Sequence, residues 1–134
     1  MKQTRIDLLG MLGVLSHHYP SMRFGQLLEM VATLAGAETA ADMERYSDAE
    51  LLEVAKEHHI RRMSQLIEEF GDFQYEPLAS ERDQLLAELR GIRRWRHKTL
   101  IDGVVLLALE MNTTLYDIED AALLQRLNPQ NAVA

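Results

Sequence analysis

The chain has 134 residues, a formal charge of −7 at neutral pH, 47% hydrophobic and 26% charged residues, and no cysteine. That length and balance suit one domain with a sizeable core and exclude a disordered polyelectrolyte. Without cysteine there are no disulfides, thiolate metal sites or cysteine nucleophiles, and the negative charge argues against broad nucleic-acid affinity.

Three prolines and seven glycines favour long helices over turn-rich β structure. Residues 1–7 lack the long apolar run of a signal peptide. The longest apolar run, residues 103–109, falls far short of the ~20 residues that span a bilayer. The expectation is a soluble, cytoplasmic protein with no membrane partner.

Helix starts are marked by Ser or Thr followed three residues later by an acid. The pattern recurs at Thr4/Asp7, Thr39/Asp42, Ser47/Glu50, Ser80/Asp83, Thr99/Asp102 and Thr114/Asp117. In such a pair each side chain can bond the other residue's backbone amide. The first helix is expected over residues 5–17, burying Ile6, Leu9, Leu12, Val14 and Leu15. Pro20 disfavours helix at Tyr19, and Ser21 is placed to cap a second helix over residues 22–35. That helix buries Phe24, Leu27, Leu28, Val31 and Leu34, and Gly36 supplies a left-handed stop. Gly25 inside it costs about 1 kcal/mol against alanine, which points to a close helix contact.

Residues 37–46 read as a connector with a short helical turn after Thr39. The third helix starts after Ser47 and continues to residue 70 with Gly71 as its stop, and residues 71–79 form the best hinge. The fourth covers residues 81 to 95 or 97. The fifth, residues 100–111, is apolar on every side, as expected of a helix central to a core or buried in a subunit interface. Asn112 ends it, and a sixth follows over residues 115–127 before a fraying tail. No strand period appears. The fold expected is all-α, a compact bundle of about six helices forming a single domain over residues 1–134.

Two internal echoes divide the chain into candidate units 1–70 and 80–128. Leu8-Leu9-x-x-Leu12-x-x-Leu15 is repeated by Leu85-Leu86-x-x-Leu89-x-x-Ile92, and Asp48-Ala49-x-Leu51-Leu52 by Asp120-Ala121-x-Leu123-Leu124. Gly25 and Gly103 form a third pair. The reading is a diverged tandem repeat of a three-helix unit. The run Tyr19-Pro20-x-x-Arg23-Phe24-Gly25-Gln26-Leu27, followed by Tyr46-x-Asp48-x-Glu50-Leu51, resembles a group of small, uncharacterised bacterial helical proteins. It covers roughly residues 8–57, and the resemblance implies a bacterial or phage origin and an α-helical unit.

Several residues invite chemistry. Arg23 and Gln26 share a helix face near a positively polarised N-terminus. With Tyr19 they form a candidate anion site, or else they fix the corner by bonding loop carbonyls. The histidines come as His17-His18, His58-His59 and His97. Adjacent helical residues point about 100° apart, so neither pair chelates an ion alone. No metal, cofactor or catalytic residue is therefore assigned. Arg90, Arg93, Arg94, Arg96 and Lys98, with Trp95 among them, form the strongest local charge feature. They are candidates for gripping nucleic-acid phosphates or an acidic partner. Walker loops, nucleophile elbows and dinucleotide fingerprints are missing. The function expected is a non-enzymatic protein-interaction module, homo-oligomeric through the fifth or second helix. The alternative is a nucleic-acid-associated regulator using residues 90–98.

Overall fold

The computed structural model describes residues 2–71 and 80–127, and every regular element among them is helical. In chain order these are α1 (Lys2–His18), α2 (Phe24–Leu34), α3 (Ala40–Met43), α4 (Asp48–Phe70), α5 (Ser80–Arg90), α6 (Leu100–Glu110) and α7 (Asp120–Leu127). The all-α bundle is thus seven helices among the described residues, one of them a single turn. The expected hinge, apart from Gly71, and the expected fraying tail beyond residue 127 lie outside the described residues.

Three of the six Ser/Thr–acid pairs, at Thr39, Ser47 and Thr99, cap helices as expected, and Thr114 makes the same bond but opens a turn. Thr39, Ser47, Thr99 and Thr114 each accept the backbone N–H of the acid three residues on. Thr4 does not, because α1 already begins at Lys2 and Asp7 instead accepts from Gln3 at 2.9 Å. The Ser80 side chain lies outside the described residues. Stops fall where the small residues sit: Gly36 and Gly71 take φ of 119° and 72°, and Asn112 takes 56°.

Three further boundaries differ from expectation by two residues or more. Residues 19–22 form a turn closed by Met22 N donating to Tyr19 O at 3.0 Å, so α2 starts at Phe24 rather than residue 22. Arg23, not Ser21, is its N-cap, and Gln26 folds back to accept Arg23 N at 3.0 Å. The fourth expected helix stops at Arg90 instead of residue 95 or 97, because Trp95 turns inward against α6. The sixth begins at Asp120 rather than residue 115. Residues 114–118 make a separate turn whose carbonyls face α2.

One core joins the helices. α1 packs along α4 and against α5, α2 packs on α1 and α4, and α7 packs on α5 and α6. Leu8, Leu9, Leu12 and Leu15 of α1 are fully buried, with Phe24, Leu27 and Leu28 of α2 and Leu85 of α5. Each such side chain contributes about 1.5–3 kcal/mol of transfer free energy. Arg5 meets Asp48 at one end of the α1–α4 pair and His18 meets His59 at the other, so these helices run parallel.

Two arginines, Arg82 buried and Arg5 partly buried, fasten the elements. Arg82, 6% exposed, donates from Nε to Asp120 Oδ2 at 2.7 Å, from Nη1 to Ser16 Oγ at 2.7 Å and from Nη2 to Met22 O at 2.5 Å. Asp120 Oδ1 in turn accepts Phe24 N at 2.7 Å. Arg5 donates to Asp48 Oδ2 at 2.8 Å, to Trp95 O at 2.9 Å and to Lys98 O. Asp48 Oδ1 accepts Leu100 N at 2.7 Å. A charge taken from water is costly unless its donors and acceptors are matched. Each clamp matches an arginine, a carboxylate and orphan groups at a helix N-terminus.

Candidate interaction surface

Residues 91–98 connect α5 to α6 as successive tight turns, with Arg96 N bonded to Arg93 O and Lys98 N to Trp95 O. Trp95, 4% exposed, is the anchor. Its indole lies against the backbone at Gly103, where a Cβ would come within 2.4 Å of the ring. Arg5 also donates to the Trp95 and Lys98 carbonyls. The loop is therefore fixed by Trp95 and Arg5 while its cations stay exposed. Arg90, Arg93, Arg94, Arg96 and Lys98 are exposed, and none forms an ion pair with a described residue. Residues 90–98 hold five Lys or Arg and no acid, so the rest of the chain carries a formal −12 against −7 for the whole.

The structure separates the candidate residues in this segment. Five stay in solvent, whereas Trp95 belongs to the core and offers no ring on which a base can stack. α6 continues from the loop, and its burial is one-sided. Leu100, Ile101, Val104, Leu107 and Ala108 are buried, while Leu106 and Leu109 on the opposite face are 37% and 60% exposed. The apolar character read on every side of this helix thus resolves into a core face and an uncovered face.

In the corner, each of the three candidate anion-binding side chains bonds within the fold. Tyr19 Oη lies 2.7 Å from His58 Nε2. Arg23 donates from Nε and Nη2 to Tyr116 O at 3.2 and 2.9 Å, with its guanidinium over the Tyr116 ring. Gln26 caps α2. Tyr19 and Arg23 are thus directed to different elements, α4 and the 114–118 turn.

His18 and His59 meet across α1 and α4, and His58 meets Tyr19. His18 Nε2 lies 3.1 Å from His59 Nδ1, and Tyr19 stacks on His58 with Arg62 over its ring. Burial pushes His18 down to about 4, and the neighbouring His59, Arg62, His58 and His17 push the same way. His58 is lowered by burial first and by Arg62, Arg61 and His59 after it. No group of three or more His, Asp or Glu is placed to hold a metal among the described residues. Between about pH 6.5 and 4 the unfolded chain binds protons that the folded chain refuses. Stability should therefore be fully present above pH 6.5 and fall towards pH 4. Solvent screens these half-buried rings, so we expect a loss of about 1–2 kcal/mol. Urea unfolding at pH 7.5 and 4.5 checks this, and His18→Gln should flatten the difference.

The sequence reading missed Arg5, Arg82, Asp120 and Ser16 as organising residues. A signal was present: an arginine stands three residues before the Leu-Leu pair in both echoed segments. No protein family, curated protein or solved structure matches this chain. No helix among the described residues is long and apolar enough to cross a membrane.

Proposed function

We propose that this chain is a non-enzymatic protein-interaction module that self-associates through the outward face of α6. The observation that carries the reading is the pair Leu106 and Leu109, exposed on a helix whose opposite face is core. Uncovered large aliphatic side chains grouped on one helix face mark contact surfaces more often than scattered ones do. The fixed cationic loop 90–98 adjoins the start of this helix, and the −12 on the rest of the chain gives a second copy the complementary charge. Light scattering on a size-exclusion column tests the reading. The wild-type chain should run as a dimer or larger, and Leu106→Glu with Leu109→Glu should run as a monomer with unchanged helicity. A wild-type monomer at all concentrations would sink the proposal.

The five exposed cations, none in an ion pair with a described residue, favour a second reading, a regulator that binds nucleic acid through residues 90–98. It requires salt-dependent binding of a short DNA or RNA duplex, lost when Arg93, Arg94 and Arg96 become alanine. The buried Trp95 removes the stacking contribution such sites commonly use. We therefore rank this reading second.

A further inference from the structure

The two arginine clamps have the same parts in the same order. α2 and α6 are each 11 residues long. The first amide of each, Phe24 N and Leu100 N, donates at 2.7 Å to an aspartate opening a helix of the other half, Asp120 and Asp48. The other oxygen of each aspartate takes an arginine Nε, from Arg82 or Arg5. Nη2 of each arginine reaches the carbonyl two residues before the clamped helix, Met22 O or Lys98 O.

The match extends along the chain. α2 ends with Gly36 N bonded to Thr33 O and Ala37 N to Ala32 O; α6 ends with Asn112 N bonded to Leu109 O and Thr113 N to Ala108 O. Gly36 and Asn112 both take positive φ. A threonine-capped turn follows each, at Thr39/Asp42 and Thr114/Asp117. Asp48, Leu51 and Ala55 match Asp120, Leu123 and Leu127 in spacing, and the four apolar residues among them are buried. The registration also corrects the glycine echo. With Phe24 set on Leu100, Gly25 falls on Ile101 and Gly103 on Leu27, so the two close contacts are not equivalent.

What the match adds is a crossing. Arg5 and Asp48 belong to the first half but hold α6 of the second, while Arg82 and Asp120 of the second half hold α2 of the first. We propose that the chain is a fused pair of one four-element unit, and that the clamped surface is a unit-to-unit interface fitted to a second copy of that unit. Each half supplies an arginine–aspartate socket and a helix N-terminus, and each socket is completed only by the other half's helix. The interface is satisfied within one chain, so it is distinct from the outward face of α6 and does not depend on the function proposed above.

Amide hydrogen exchange on the full-length chain tests this. Arg5→Lys keeps the charge but loses the fork that serves three acceptors, and Arg82→Lys does the same on the other side. Arg5→Lys should speed exchange of the first-turn amides of α6 by about tenfold or more, with the start of α2 little changed. Arg82→Lys should do the reverse. Loosening confined to the half that carries the substitution would overturn the proposal, and so would equal loosening of both helices by either variant. If Arg82→Lys fails to fold, Asp120→Asn, which retains an acceptor for Phe24 N, replaces it with the same expected pattern.

Discussion

Gly25→Ala should lower the melting temperature by about 10 °C or more, against the direction helix propensity gives. Alanine is the better helix former by about 1 kcal/mol. A Cβ at position 25, however, would stand 1.9 Å from the Leu115 carbonyl oxygen and 3.0 Å from its carbon. A backbone carbonyl inside a closed turn has no rotamer to escape into, so α2 and the 114–118 turn must separate. That movement strains the Arg23 bonds to Tyr116 O and the Phe24 bond to Asp120. Overpacking of this kind costs about 3 kcal/mol, which for a chain this size corresponds to about 10–15 °C. Gly10→Ala is the control, since nothing lies within 4 Å of its added carbon. Thermal melts followed by circular dichroism decide the matter, and a Gly25→Ala melt at or above wild type would refute the close approach.

Arg82→Met should cost about 3–5 kcal/mol in urea unfolding, the range for removing one member of a buried ion pair. Methionine approximates the volume of the stem but removes the donors that Arg82 supplies to Asp120 Oδ2, Ser16 Oγ and the Met22 carbonyl, leaving the carboxylate only the Phe24 amide. The carboxylate is the costly one, at 16% side-chain exposure. Arg126→Ala breaks a pair with Glu110 in which both side chains are about half exposed, 53% and 54%. Such pairs contribute about 0–1 kcal/mol, so this variant calibrates the surface case. If Arg82→Met costs no more than Arg126→Ala, the clamp is not holding the corner and α7 together.

The helical class, the caps at Thr39, Ser47 and Thr99 and the stops at Gly36, Gly71 and Asn112 were legible because each depends on a few neighbouring residues. The errors arose where distant segments decide. Trp95 reads as a continuation of α5 until α6 offers the bare backbone of Gly103. Residues 115–119 read as helix until Gly25 and Arg23 claim the carbonyls of Leu115 and Tyr116. Arg82 reads as one more surface cation in a charged helix, and only the meeting of Ser16, Met22 and Asp120 makes it central. Of the candidate residues, the exposed cations of loop 90–98 and the uncovered leucines of α6 keep side chains that the fold does not use. Those of the Tyr19–Gln26 corner are engaged by it.

The functional account stands on the outward face of α6, and methyl and backbone nuclear magnetic resonance across a dilution series tests that face most directly. We expect the Leu106 and Leu109 methyls and the amides of residues 90–98 to shift together as the protein is diluted, while the methyls of the buried Leu100, Val104 and Leu107 stay fixed. Shifts confined instead to the exposed Ile60 and Ile67 of α4, or no concentration dependence at all, would contradict it.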